Sequence, residues 1–413
     1  MKKTAGIVLS LLLLVPIIFS WSFYAVGAVS LSESEFLVKA NVRFTASGGA
    51  WNFSEEEKEI SLYMNSTWQT VMLVNSSYSF ENIKTDEDGN KLAILNMPSI
   101  EPNQSIEYTV FYRVLSKPRN IPDINKNTAL NLTAIPSNLS QAYLGNSGTW
   151  MTNNATIRAL AETLAENQTT VLAIIEKFIR WIWDNIEYGS NEVPLYPNET
   201  MSQKRGDCDD QAILLVSMCR IVGIPAYLQI GSIYRPQVEN ETSTGWEGHV
   251  ESTQNHVGWH GWAMVYVPPW EWLPVDLMYI YTLSKNDALN AIKTAAVTSQ
   301  RVIQYMNIIQ TDYVSKARDY RSFLINNDFY IQTFDEIIAV REANPFEFLS
   351  EWLNTLVKYV LVTLLVAGVI VGVLVGLFYA RRMKKRGVVD STAGNSRVLC
   401  GRKFSWHPPR LLR

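Results

Sequence analysis

Residues 205–226 read RGDCDDQAILLVSMCRIVGIPA. Cys208, Gln211/Ala212, Leu215, Cys219 and Val222 recur at helical spacing, and Gly223 and Pro225 supply a stop and a breaker. Asp207 is the expected N-cap, which places Cys208 in the first turn. Asp209 and Asp210 are residue types the positive end of a helix favours. The same field and the free first-turn N–H groups favour a thiolate at Cys208, whereas three neighbouring carboxylates oppose it. Where their side chains face water, screening weakens most of this repulsion, and a nearby protonated histidine could more than offset it. Arg205-Gly206-Asp207 also spells an adhesion tripeptide, but a capping role explains Asp207 better.

Three histidines are candidates: His249, His256 and His260. His260 opens the run HGWAMVYV, which turns at Pro268-Pro269 and returns as WEWLPVD. A hairpin centred on Pro268 pairs residue 260 with Asp276, and opposed side chains are then about 5 Å apart at Cβ. Asp276 can accept the His260 N–H and leave the other ring nitrogen for Cys208, giving a nucleophile, a base and an orienter. Pro274 requires an edge strand or a bulge there. A helical metal motif through His256 and His260 fails because Gly258 and Gly261 interrupt the stretch, and no metal or cofactor is expected. Of Trp246, Trp259, Trp262, Trp270 and Trp272, about two are expected to line a groove and the rest to be core.

The remaining cysteines are Cys219 and Cys400. Cys219 lies on the apolar face as a small buried hydrophobe. It is eleven residues from Cys208, about 16 Å along a helix axis, too far to bridge. One thiol therefore stays free.

Before this region, residues 29–120 carry short β-branched and aromatic runs (FLVKANVRFTA, KEISLYMN, WQTVMLVN, KLAILNM, IEYTVFYRVL) separated by turn clusters. This spacing predicts a β-sandwich domain. Residues 121–284 form the domain holding Cys208, with an amphipathic helix over 169–186 whose face is Val171, Ile174, Ile175, Phe178 and Ile182. Residues 285–358 are expected as a helical coat or stalk, on the spacing of Leu289, Ile292, Ala296, Phe334, Ile337 and Ile338.

The ends predict a membrane topology. Residues 1–28 have the basic start, apolar centre and small-x-small finish of a signal peptide; cleavage near Ala28 is favoured over an uncleaved anchor. Residues 359–380 are 22 uncharged residues, enough to span a bilayer, and the basic cluster Arg381–Arg386 keeps the tail 381–413 cytoplasmic. Gly368, Gly372 and Gly376 form a ridge that could seat a second span, although a monomeric span is favoured. Ten Asn-x-Ser/Thr sequons fall between Asn52 and Asn240, against roughly four expected from composition, which suits a glycosylated, cell-surface ectodomain. Net charge is −3 without a long external basic run, which points away from nucleic acid.

Gly206-Asp207-Cys208-Asp209-Asp210 opening an apolar helix that ends Gly223-Ile224-Pro225-Ala226, a later His260-Gly-Trp-Ala strand and Trp272-Leu-Pro-Val-Asp276 together resemble the transglutaminase-like superfamily. The likeness covers roughly residues 127–280. It implies a papain-like α+β core, so the expected α+β chain has a transglutaminase-like core preceded by the β-sandwich domain read above and followed by the helical segment and one C-terminal transmembrane helix. It also implies that Cys208 is nucleophile, His260 base and Asp276 orienter of amide acyl transfer, by hydrolysis or transfer to an amine. The family's oxyanion donor lies upstream of the cysteine; Tyr188 and Trp183 are the candidates. Surface proteins or peptide-like envelope polymers are the expected substrates. The alternative is a catalytically silent fold serving adhesion or envelope assembly.

Overall fold

The computed structural model describes residues 33–278, 285–342 and 357. The signal peptide, the 359–380 span, its glycine ridge and Cys400 lie outside the described residues. Among the described residues no helix is long and apolar enough to cross a membrane.

The first strands are β1 (Ser34–Ala46), β2 (Glu59–Ser61), β3 (Gln69–Ser76), β4 (Phe80–Thr85), β5 (Lys91–Leu95) and β6 (Ser105–Ser116). Helices α1 (Ser137–Tyr143), α2 (Ala155–Ala165) and α3 (Val171–Asn185) follow. Next come β7 (Glu187–Tyr188), α4 (Pro197–Gln203), β8 (Arg205–Gly206) and α5 (Cys208–Ile221). Strands β9 (Ala226–Tyr234), β10 (Glu241–Gly245), β11 (Val250–Asn255), β12 (Val257–Tyr266) and β13 (Trp272–Val275) lead to α6 (Asn290–Lys293). The described chain closes with β14 (Val302–Ile308), α7 (Tyr313–Asn326) and β15 (Phe329–Arg341).

Helix α5 is the centre of the site-bearing layer. Every residue from Asp210 to Arg220 is buried, so this helix is enclosed on all sides. The antiparallel sheet β13-β12-β9-β14 covers one side, through Leu228, Ala263, Val265 and Val275. Helix α3 covers another with Val171, Ile175, Phe178 and Ile182, the face read from its periodicity. At the far end Arg220 donates to the carbonyls of Ala226 (2.9 Å), Gly145 (3.0 Å) and Ile309 (2.8 Å). A cation there suits the negative end of the helix dipole.

The sandwich is built differently from its expectation. Its large sheet runs β10-β11-β15-β1-β6-β3, so half its strands come from beyond residue 120. The small sheet β2-β5-β4 shares with it a core containing Phe36, Val38, Leu95, Met97, Tyr112 and Val114. Val257 and Ile303, from the sheet over α5, enter this same core, so the two layers pack as one compact body.

The helical coat expected over 285–358 needs correction. In its described part the α-helices α6 and α7 and a 3-10 turn at Ala296–Thr298 share the chain with two strands, β14 and β15. Phe334, Ile337 and Ile338 fit a helical stripe by number, but β15 pairs along twelve residues of β1. Ile337 is buried whereas Ile338 is 46 % exposed, the alternation of a strand. Short apolar runs do not separate the two periods; the long-range partner does.

Candidate active site

Cys208 is the first residue of α5, and Asp207 is its N-cap with extended backbone. The cap is reciprocal: the Asp207 carboxyl accepts the Asp210 N–H (3.5 Å) and Asp210 accepts the Asp207 N–H (3.1 Å). Two glycines allow the turn to sit this tightly. A Cβ on Gly206 would lie 2.7 Å from the Asp210 Cβ, and one on Gly261 of β12 would lie 3.1 Å from the Asp209 Cβ.

The three aspartates do not face water alike: Asp207 and Asp209 are half-buried. Asp210 is fully buried and also accepts the Leu195 N–H (2.6 Å) and the Asn191 amide (2.7 Å). Asp209 accepts the Tyr313 hydroxyl at 3.0 Å. Carboxyl oxygens of Asp207 and Asp209 and the Cys208 Sγ all lie within 4.8 Å of one another. Burial, a hydrogen bond to Asp209 and the charges of Asp209, Asp210 and Cys208 push the Asp207 carboxyl up to about 10. A carboxyl raised this far favours its neutral form, which would relieve the repulsion expected of Asp207 without screening.

On the other side of Cys208 stands His260, 5 % exposed. Its Nε2 is 2.9 Å from Asp276 Oδ2, which leaves Nδ1 outside that pair, and Cys208 is near enough to act on the ring. Burial alone would lower the imidazole pKa; the Asp276 carboxylate and Cys208 overcome it and raise it to about 10. Asp276 answers in the opposite direction. Burial would raise its carboxyl, but His260 and two backbone N–H groups, Ala296 (2.8 Å) and Met278 (3.1 Å), bring it below the ordinary value.

The hairpin that unites them has a different register from the expected one. Ala263 faces Val275 and Tyr266 faces Trp272, so the turn centres on Pro269. The turn spans Val267–Glu271, closed by the Val267 N–H to the Glu271 carbonyl at 2.7 Å. Extended one pair, this register sets Trp262 rather than His260 opposite Asp276. The offset is two residues, which preserves the face, so His260 and Asp276 meet as diagonal neighbours. Pro274 lies on the edge strand β13, where a missing N–H is tolerated.

The remaining candidates separate clearly. Cys219 is wholly buried and its thiol is pushed up by burial; both described cysteines are free. His249 stacks on Tyr330 and His256 packs edgewise on Tyr234. Among the described residues the only cluster of three groups able to ligate a metal is Asp207, Cys208 and Asp209, without a histidine. Trp183 spends its indole N–H on the Leu277 carbonyl (3.0 Å). Tyr188 is 58 % exposed and close enough to feel the charges of Cys208, Asp207 and Asp209, although burial of its hydroxyl is the larger cause of its raised pKa. Trp262 is buried beneath His260 (ring centroids 6.0 Å) and Trp272 packs among Tyr143, Tyr227 and Tyr266. Trp270 is partly buried against the core around α5. Trp246 and Trp259 each donate an indole N–H, to the Glu192 carbonyl and to Asp335, and Trp259 is 38 % exposed. Sequence reasoning missed Tyr313, Ala296, Asn191 and Leu195. None belongs to a local pattern with Cys208, and Asp312 before Tyr313 signals only a helix cap.

Residues 158–277 match the model of the transglutaminase-like superfamily. The chain thus carries a transglutaminase-like core, and Cys208, His260 and Asp276 all fall inside it. No curated protein matches the chain. Among solved structures, one from Cytophaga hutchinsonii, described as a "Putative Cysteine Protease", is 12% identical with a TM-score of 0.46, over 75% of this chain and 92% of that one. Another, a "putative protease" from Parabacteroides distasonis, is 10% identical with a TM-score of 0.23, over 67% and 68%. Neither likeness is close enough to bear on chemistry, which is read from the side chains.

Proposed function

We propose that this chain is a thiol enzyme of amide acyl transfer, with Cys208 as nucleophile, His260 as proton carrier and Asp276 as the residue that orients the imidazole. The observation that carries the reading is the buried His260, joined through Nε2 to Asp276 and beside Cys208 at the start of α5, whose thiol helps to raise its pKa. The Cys208 Sγ bonds to the amide carbonyl carbon and the carbonyl oxygen takes the negative charge. The C–N bond then breaks as His260 gives its proton to the departing amine, leaving a thioester. Water or a second amine attacks the thioester and passes a proton to His260, and the C–S bond breaks to restore the pair. The free N–H groups of the first turn and the Tyr188 hydroxyl are donors available to the oxyanion.

The reading extends to placement: an outward-facing enzyme tethered by 359–380 and acting on surface proteins or envelope polymers near its anchor. Exposure supports it, because nine of the ten sequon asparagines are exposed and Asn154 is half-buried. The test uses the full chain with amide peptides, following ammonia or peptide release and incorporation of an amine probe. Cys208→Ala is expected to lose at least about a thousandfold in rate while keeping its melting temperature. Amide turnover that survives Cys208→Ala would falsify the proposal.

A further inference from the structure

Tyr313 begins α7, in the segment beyond the family match, yet its hydroxyl reaches Asp209 beside Cys208 at 3.0 Å. Two carboxyl groups that hydrogen-bond to each other need a proton between them, because an ionised carboxylate only accepts. The raised Asp207 carboxyl has Asp209 among its causes, as such a pair requires. Their oxygens and the Cys208 Sγ lie within 4.8 Å of one another. We propose that Tyr313 is a positioning residue for the thiol: by donating to Asp209 it fixes an Asp207–Asp209 pair that shares one proton, so these two residues present one negative charge, not two, beside Cys208. Burial and neighbouring carboxylates supply the physical support, since they drive Asp207 to hold its proton.

The charged and titratable groups around the pair each have another assignment. Asp210 is tied by backbone and amide donors and feels Arg318. His260 is held by Asp276. Tyr188 is hydrogen-bonded to Ser190. Tyr313 alone among them donates to Asp209 through a hydroxyl brought from the C-terminal segment.

The inference rests on Cys208 being the reactive thiol, and the experiment separates the two claims. Iodoacetamide modification of the full chain is followed between pH 4 and 9 by mass spectrometry of the peptide containing Cys208, with thermal melting in parallel. Tyr313→Phe leaves the Asp209 charge less dispersed, so the reactivity profile moves to higher pH by about half to one unit, a three- to tenfold slower reaction below the midpoint. In an Asp209→Asn background the same change has no further effect. Asp207→Asn replaces a group that is already neutral and keeps the cap, so it leaves the profile in place. A profile unmoved by Tyr313→Phe, or still moved by it in the Asp209→Asn background, overturns the proposal. So does a shift to lower pH in Asp207→Asn, which would mean two charged carboxylates; this arm decides even if Tyr313→Phe fails to fold. If His260→Ala also leaves Cys208 unaffected, the enzyme reading fails as well. If only the Tyr313 arm is silent, that reading stands alone.

Discussion

Two carboxyl groups flank Cys208, one half-buried and one buried, and their surroundings have moved them in opposite directions. Burial raises both. At the end of β13, Asp276 is brought back below its ordinary value by His260 and two backbone N–H groups. At the start of α5, Asp207 meets Asp209, Asp210 and Cys208, which add to the effect of burial and leave it at about 10. Depth does not explain the contrast, because Asp276 is the deeper of the two at 1 % exposed. A buried carboxyl beside a cation becomes part of an ion pair; beside other acids it becomes a hydrogen-bond donor. The thiol lies between the two kinds.

The strongest way to break this contrast is to remove the ionised member. Asp276→Ala leaves a buried imidazolium without its counter-ion and strips the Ala296 and Met278 N–H groups of their acceptor. It is expected to cost about 3–5 kcal/mol of stability in urea unfolding. Asp276→Asn keeps the shape but cannot hold His260 in the same protonation state. Amide turnover by that variant is expected to fall roughly 10²- to 10⁴-fold with the fold intact. Turnover within a few-fold of wild type would leave Asp276 a packing residue and nothing more.

Asp210 is the intermediate case. It is buried like Asp276 but its donors are the Leu195 and Asp207 N–H groups and the Asn191 amide, with no cation in direct contact among the described residues. Asp210→Ala orphans these donors and is expected to cost about 2–3 kcal/mol. Because Asn191 and Leu195 belong to the loop between β7 and α4, amide exchange there should quicken more than in β9. Equal exchange in both segments would show that Asp210 does not anchor that loop.

How far such a site can be read in advance differs across it. Cys208, Asp207, His260 and Asp276 were legible because each belongs to a short local pattern: a cap, a helix start, a strand and a hairpin return. Even the mistaken turn centre did no harm, since an offset of two keeps His260 and Asp276 on one face. Helix α3 was legible for the same reason, a single strong period. The raised pKa of Asp207 was not legible, because it depends on its burial and on how closely Asp209, Asp210 and Cys208 gather around it. Tyr313 and Ala296 were not either: they reach the site from a segment more than 85 residues beyond Cys208 in the sequence, and no local signal ties them to it. Strand β15 failed similarly, its partner β1 lying at the other end of the described chain.

The smallest change sharpens the contrast most. Asp207→Asn keeps a good cap, and its amide can donate to Asp209 as the protonated acid does. Near pH 5 it is expected to alter stability by less than about 1 kcal/mol. The effect must then grow with pH. Asp207 has its folded pKa raised from 3.8 to about 10, so the stability it gains by keeping the proton is full below about pH 4 and is lost progressively as the pH rises towards 10. Asparagine has no proton to lose, so the variant gains on the wild type throughout that window. His260, raised from 6.5 to about 10, loses its own contribution between those values, but both proteins carry it and it cancels in the difference. Urea unfolding of the two proteins at pH 5, 7 and 9 reads the difference directly. A variant that pulls ahead steadily identifies Asp207 as a half-buried acid that keeps its proton, the opposite of Asp276. A difference that stays flat means that Asp207 is ionised in the fold, and the two sides of Cys208 are then alike.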